Sequence, residues 1–243
     1  MTLPTPRTTG TLLIGAAVLA NAAFVGLSSV FGYPDVLQLP AQEALARFAE
    51  QAPLVPALFV VLAAAAALLA PVALGLSRLG AGRWRRVVLA AGVGAALVQV
   101  VGLLRWPLLV PGLAATATDP SASVAARAAA GDRFETLGTV LGQVVGESGG
   151  YLLTAVFTVA VVLALRERFR LSRLQVVLGL GSVPLVLVGL LVPLGVPGAD
   201  AANFAGYVVW TAWCIVLGVR LVRTGEPGRP LGTEAPALSE LHA

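Results

Sequence analysis

The chain has 243 residues, of which 58% are hydrophobic and 12% are charged, whereas a soluble domain carries about 25% charged residues. All sixteen basic residues are arginines, the formal net charge is +4, and the chain has one cysteine, Cys214, and one histidine, His242. This composition excludes a water-soluble fold, lysine-dependent chemistry, an internal disulfide and a four-ligand zinc site, so we expect no cofactor and no metal. The arginines lie in short clusters beside apolar runs, a pattern typical of membrane topology, and we exclude nucleic acid as a partner.

Six apolar segments follow one another along the chain. Each is long enough to cross a hydrocarbon core of ~30 Å, and each is predicted to be helical because lipid offers no partner for a bare peptide group. The predicted fold is therefore an all-α bundle of about six transmembrane helices over residues 10–223, between an N-terminal segment, 1–9, and a disordered tail, 224–243. The segments cover residues 10–32, 53–77, 87–113, 137–165, 174–197 and 201–221.

The arginines are distributed unequally between the two sides of this bundle. Twelve lie before the first segment, in the second and fourth connections, or at the end of the sixth segment and beyond it, and three lie in the other connections. Because arginine is enriched on the cytoplasmic side, both termini are predicted to be cytoplasmic, in a multi-pass protein of the cell membrane whose first partner is the lipid bilayer.

Two connections on the opposite side are long and form predicted outer loops, residues 33–52 and 114–136. The first contains a short helical pattern at residues 42–48. The second contains Asp119-Pro120-Ser121, which is typical of a helix start, and then an alanine-rich stretch that leads into the fourth helix.

Two charged residues lie inside the apolar segments, where charge is costly. Arg105 follows the arginine cluster before the third helix by nineteen residues, and Glu147 precedes Arg166 by the same number. Both therefore lie at the same depth, about 28 Å from the inner arginines, and we expect a salt bridge between them. Asp200 and Asn203 of the sixth helix lie near the same level.

The fourth segment carries two adjacent stripes with a four-residue repeat. Gly138, Gly142, Gly146 and Gly150 form one stripe, which favours close packing of another helix. The other is polar and is predicted to face the bundle interior; it contains Thr139, Gln143, Glu147 and Tyr151.

The segment Gly146-Glu147-Ser148-Gly149-Gly150 resembles the serine motif of rhomboid proteases, which are also six-helix membrane proteins. Asn203 then stands where the rhomboid histidine belongs. Serine needs a base to become a nucleophile, so this resemblance implies at most a catalytically dead relative.

Three motifs carry a broader resemblance: residues 31–37 (FGYPDVL), residues 104–111 (LRWPLLVP), and Gly146-Glu147 with Gly150-Tyr151. Together they resemble a bacterial family of multi-pass membrane proteins known as a domain of unknown function, over residues 10–222. The resemblance implies the helical membrane fold and no particular activity. It assigns Asp35, Arg105, Trp106 and Glu147 to the shared pattern.

These observations define a candidate polar site with two interpretations. The first is a structural ion pair that fixes helix register. The second is a site open to the outer face that binds a ligand or performs catalysis. The first functional hypothesis is a non-enzymatic sensor, partner-binding or stress-related membrane component, whose partner is another membrane protein or a second copy. The alternatives are a small transporter and a lipid- or isoprenoid-modifying enzyme that uses Glu147 as its acid. The candidate residues are Arg105, Trp106, Gln143, Glu147, Tyr151 and Asn203, with Asp35 and Asp200 as secondary candidates.

Overall fold

The computed structural model describes residues 5–80, 82–166, 169 and 171–224. Apart from Thr224, the predicted disordered tail lies outside these described residues. The described part is helical and contains no strand, and six of its helical segments are long and apolar enough to cross a membrane. The predicted all-α bundle is thus confirmed. In chain order the spans are Pro6–Phe31, Leu54–Leu79, Trp84–Thr118, Val124–Leu165, Arg173–Leu194 and Ala199–Thr224.

Local capping sets the ends of the first span. The Thr5 hydroxyl accepts a hydrogen bond from the Thr8 amide at 3.2 Å, so the helix begins at Pro6, four residues before the predicted boundary. At the other end Gly32 adopts φ 68°, a left-handed conformation that glycine adopts without steric cost.

Proline interrupts the third span near its end. Pro107 has no amide hydrogen to donate to the preceding turn, and the helix Trp84–Leu108 ends one residue later. A second helix, Val110–Thr118, continues the span beyond this break. The break places Arg105 and Trp106 in the last turn of the first piece.

The fourth span changes its helical type midway. It consists of Val124–Leu137, a π-helical segment Gly138–Gly149 and Gly150–Leu165. Most π-helices are single-turn bulges, and they are frequent at functional sites. The whole span is about 60 Å long, twice the ~30 Å hydrocarbon core. Part of it must therefore project beyond the membrane.

The first and sixth spans pack together at their ends. A Cβ atom placed on Gly10 would lie 2.9 Å from the Leu221 Cβ atom, so the beginning of the first span lies against the end of the sixth. The arginine clusters of the chain occur at this end, which we call the inner end. The opposite end is called the outer end, and its extracytoplasmic location remains a prediction from the arginines.

Two apolar cores divide the bundle along its length. The inner core contains buried side chains of the first, second, third, fourth and sixth spans, with Phe157 and Trp213 as its largest members. The outer core gathers Phe31, Phe48, Phe59 and Trp106 with smaller apolar residues. In the third span the two cores are separated by residues 97–105, which include polar Gln99 and Arg105.

The two predicted outer loops, 33–52 and 114–136, are largely helical. The helices Ala41–Glu50, Val110–Thr118 and Val124–Leu137 pack against one another, and we call these three helices the outer cap. The Gln42 side-chain amide joins two of them by donating to the Arg127 carbonyl at 2.7 Å.

The predicted helix start at Asp119 is a turn that precedes the helix. The Asp119 carboxylate accepts hydrogen bonds from the Ser121 hydroxyl at 2.7 Å and the Ser121 amide at 2.8 Å. These bonds, led by the hydroxyl, hold the pKa of the Asp119 carboxyl below its usual value. The helix begins at Val124, where Ser123 provides the N-cap.

Candidate functional site

Arg105 is buried near the outer end of the third span. Its guanidinium donates to the carbonyl of Gly102 at 2.5 Å, one turn back on the same helix. It also lies 5.2 Å from the centroid of the Trp106 ring. A Cβ atom on Gly142 would lie 2.8 Å from the Arg105 Nη2 atom, so the missing side chain of this glycine leaves the space that the guanidinium fills.

The predicted salt bridge between Arg105 and Glu147 is wrong. Among the described residues the ion pair within 4 Å is Arg47–Glu43, at 2.8 Å on the outer cap. Arg105 and Glu147 still interact electrostatically. The direct pair is absent because Arg105 folds back onto the backbone of its own helix.

Glu147 lies half-buried in the π-helical segment. Its carboxylate makes no hydrogen bond and no ion pair with the part of the chain that the structure describes. It interacts electrostatically with Arg105 and with three tyrosines, of which Tyr151 lies one turn further along the same span and the other two follow the first span or lie in the sixth. We call this group the polar cluster, and its members are Tyr33, Arg105, Glu147, Tyr151 and Tyr207.

The three tyrosines are held by aromatic packing. The rings of Tyr151 and Tyr207 lie 5.9 Å apart, and the Tyr33 ring packs edge-on against Phe59 at 5.4 Å. Tyr33 follows the first span, and burial raises its pKa to about 12, with a further increase from the Glu147 charge that Arg105 opposes. Tyr33 is therefore a neutral hydroxyl at physiological pH.

Asn203 links the fifth and sixth spans at the edge of the cluster. Its side-chain amide donates to the Val186 carbonyl at 2.7 Å. Gly189 provides the space for this contact, because a Cβ atom there would overlap both Asn203 and the Tyr151 ring. Asn203 thus has a defined packing role.

Polar contacts continue from the cluster toward the inner end. The Gln99 amide donates to the Thr154 hydroxyl at 3.4 Å, and the Trp210 indole N–H donates to the Thr158 hydroxyl at 2.8 Å. Thr158 in turn donates to the Thr154 carbonyl at 2.7 Å. From Phe157 onward the fourth span belongs to the inner core, where Val161 is also fully buried.

Trp106 is the centre of the outer core. Its ring stacks on Phe59 with centroids 4.7 Å apart and an interplanar angle of 4°, and it stacks on Phe48 of the outer cap at 6.0 Å. Phe31 and Phe134 contact the same ring edge-on, at 5.3 and 5.7 Å. One side chain therefore joins the first four spans to the cap.

The polar stripe of the fourth span faces two different environments. Glu147 and Tyr151 are half-buried, whereas Thr139 and Gln143 are exposed, so the prediction that the whole stripe faces the interior is wrong. Gln143 precedes Arg166 by 23 residues, a distance of about 35 Å along a helix, and so lies beyond a ~30 Å hydrocarbon core. Exposure costs it little there.

The glycine stripe packs as predicted over most of its length. A Cβ atom on Gly102 of the third span would lie 2.8 Å from the Cα atom of Gly146, and one on Gly150 would lie 3.2 Å from the Gln99 Cγ atom. Gly138 has open space beside it. The third and fourth spans therefore cross in backbone contact at Gly102 and Gly146.

The structure does not bring the secondary candidates into the cluster. Asp35 begins the short helical turn Asp35–Gln38 and is exposed, and Asp200 is exposed in the first turn of the sixth span. Neither has a hydrogen bond or ion pair with a member of the polar cluster among the described residues.

Sequence reasoning missed two members of the cluster, Tyr33 and Tyr207. Tyr33 lies within the first motif, beside Asp35, and Tyr207 follows Asn203 by one helical turn. That spacing was a usable signal, because residues four apart lie on one helix face.

Comparison of the chain with protein-family models, with curated proteins and with solved structures finds no match. The resemblances to the family of unknown function and to rhomboids therefore stay predictions. The six apolar helices, with a largely half-buried polar cluster between two apolar cores, describe an integral, multi-pass membrane protein.

Proposed function

We propose that this chain is a non-enzymatic membrane component of the sensor or partner-binding kind. In this proposal it resides in a bacterial cell membrane with both termini in the cytoplasm. Its outer cap receives a signal or a partner, and the polar cluster responds. The observation that carries the proposal is the Glu147 carboxylate, which has no direct partner among the described residues and lies in a π-helical segment.

An intramembrane carboxylate without a partner is costly, and π-helical geometry is less favourable than α-helical geometry. Unfavourable features such as this carboxylate and this π-helical segment are found in folded proteins where a function requires them. A bound partner or a proton that neutralises Glu147 would remove the first cost. The polar cluster therefore has the energetic properties of an element with two states.

The outer core provides the connection between the cap and this element. Trp106 contacts Phe48 of the cap and Phe134 of the fourth span, and its neighbour Arg105 acts electrostatically on Glu147. A displacement of the cap would move the Trp106 ring and Arg105 together, and thereby change the field at Glu147.

The partner surface in this proposal is the exposed outer part of the fourth span. Asp132, Glu135, Thr136, Thr139 and Val140 line an open surface depression there, and Gln143 is exposed one turn further on. Polar side chains at this depth can form hydrogen bonds with a second membrane protein or a second copy.

The experiment places a photoreactive amino acid at Gln143 in the membrane of living cells. Val177 of the fifth span, an apolar side chain with 65% exposure, is the matched lipid-facing control. We expect a discrete protein adduct from position 143 and none from position 177. E147Q is expected to change the yield of this adduct several-fold while the purified variant keeps the melting temperature of the parent.

Equal adduct yields from both positions would contradict the partner surface. An E147Q variant with unchanged adduct yield and a lowered melting temperature would show that Glu147 only stabilises the fold, and would refute the sensing role.

The second candidate is a small transporter, and a specific observation favours it. Polar groups continue inward from Glu147 through Tyr151, Thr154 and Thr158. This line ends at the inner core, which is why the proposal ranks second. Proteoliposomes with a pH-sensitive dye inside would show Glu147-dependent proton flux if the chain transports protons. Equal flux from the parent and E147Q would exclude it.

A lipid- or isoprenoid-modifying enzyme is the third candidate. It depends on Glu147 alone, because Asp35 and Asp200 lie outside the polar cluster.

A further inference from the structure

A groove opens on the surface of the bundle where the third and fifth spans flank the fourth. Both flanking spans pack on the helix Gly150–Leu165, which forms the floor of the groove. The lining is entirely apolar and is contributed by Trp84, Val87, Ala155, Val156, Val159, Val183 and Leu187. This groove is separate from the polar cluster.

The groove runs from the inner boundary of the membrane to just past its middle. Val159 and Val156 precede Arg166 by seven and ten residues, which places them about 10 and 15 Å from the inner arginines. One leaflet of a hydrocarbon core is about 15 Å thick. On the fifth span Leu187 follows Arg173 by fourteen residues, about 21 Å, so the groove spans the inner leaflet and reaches a few ångströms beyond it, with Trp84 at its inner mouth.

Positive charge surrounds that mouth. Arg83, Arg85 and Arg86 flank Trp84 and are exposed. The Arg83 guanidinium lies 5.0 Å from the centroid of the Trp84 ring, and Arg83 shares a helix face with Val87. Arg85 points elsewhere, since its Nε atom donates to the Ser77 carbonyl at 2.9 Å. Arg83 is therefore a positive charge in direct contact with Trp84, which lines the groove.

We propose that this groove binds an anionic phospholipid of the inner leaflet, with one acyl chain along the apolar floor and the phosphate at Arg83. The apolar lining matches the acyl chain, the groove extends through the inner leaflet, and the arginine matches the phosphate. Trp84 lies at the headgroup level, where tryptophan is enriched in membrane proteins. A partner helix is a weaker occupant, because the charge at the mouth favours an anion.

The test is native mass spectrometry of the full chain in detergent, with phosphatidylglycerol or phosphatidylcholine of identical acyl chains added. We expect one phosphatidylglycerol to be retained several-fold more tightly than phosphatidylcholine. R83Q removes this preference. R223Q is the matched control, because Arg223 is exposed on the sixth span, which does not line the groove, and it keeps the preference.

A second pair of variants tests the acyl chain. V156F fills the groove at an exposed position, and V177F adds the same volume on the lipid-facing fifth span outside the groove. V156F is expected to reduce retention of both lipids, and V177F to leave it unchanged. Melting temperatures without added lipid verify that all four variants fold.

Three results would overturn the proposal. The first is that the parent retains the two lipids equally. The second is that R83Q and R223Q lose the preference for phosphatidylglycerol to the same extent. The third is that V156F retains both lipids as the parent does. A protein adduct to a photoreactive group at Val156 in cells, in place of a lipid adduct, would assign the groove to a partner helix and would also overturn it.

Discussion

At the scale of single residues, Arg105 and Trp106 are neighbours in sequence with different tasks. Arg105 turns back to the Gly102 carbonyl and faces the polar cluster. Trp106 points into the outer core and contacts rings from several helices. The pair therefore couples an apolar packing centre to a charged one.

Substitution of Trp106 by alanine is expected to destabilise the protein by ~3–5 kcal/mol, as for other buried large-to-small changes. W106F is expected to lower the free energy of unfolding by much less. The Trp106 indole N–H has no hydrogen-bond partner among the described residues, so phenylalanine loses packing volume and no bond. Equilibrium unfolding in detergent measures both variants. If W106F lost as much stability as W106A, this account of the outer core would be contradicted.

The Tyr33 hydroxyl predicts a dependence on alkaline pH. Burial raises its pKa to about 12, above the ordinary value of about 10, so the folded state retains this proton longer than the unfolded state. The resulting stability is complete below pH ~10 and is lost as pH rises toward ~12. Ultraviolet absorbance of tyrosinate should show this titration in the parent and lack it in Y33F. A Tyr33 that titrates near its ordinary value would place it outside the buried cluster.

At the scale of elements, the π-helical segment Gly138–Gly149 distinguishes the fourth span from its neighbours. Its glycines permit backbone contact with the third span at Gly102 and leave space for the Arg105 guanidinium at Gly142. Both contacts depend on missing side chains. The position of Glu147 therefore depends on how closely these two helices approach.

The G102A variant tests this close approach. The new methyl group would lie 2.8 Å from the Gly146 Cα atom and 2.9 Å from the Leu141 carbonyl oxygen, and backbone atoms cannot move aside as a flexible side chain can. We expect the free energy of unfolding to fall by ~1–3 kcal/mol, as is typical when extra volume is forced into a packed contact. G181A is the control, because nothing lies within 4 Å of its added Cβ atom, and alanine there favours the helix by up to ~1 kcal/mol. Similar unfolding curves for the two variants would refute the helix contact.

At the scale of the whole molecule, the arrangement is a bundle with an inner core, a polar cluster, an outer core and an outer cap. Two of the three cap helices extend the third and fourth spans beyond the membrane. The predicted orientation places the cap outside the cell and the arginine clusters in the cytoplasm.

Cysteine labelling in intact cells checks this orientation. The starting protein is C214S, in which the buried native thiol is removed. A membrane-impermeant maleimide should label a cysteine introduced at exposed Glu50 of the cap, and should label one at exposed Arg83 only after the cells are opened. The reverse pattern would invert the topology and move the proposed lipid groove to the outer leaflet.

The number of spans and their helical structure were predictable from the sequence alone, whereas the π-helical segment and the early start of the fourth span at Val124 were not. Long apolar runs leave the backbone one way to satisfy its hydrogen bonds in lipid. The level shared by Arg105 and Glu147 was also predictable, because helical rise converts residue counts into depth.

The tertiary structure alone decided how the polar residues meet. Arg105 bonds to the Gly102 carbonyl instead of Glu147, because a glycine on the facing helix leaves space for the guanidinium. Tyr33 and Tyr207 join the cluster through packing between helices that are distant in sequence. Residue spacing along one helix contains no information about such contacts, since they depend on how neighbouring helices cross and rotate.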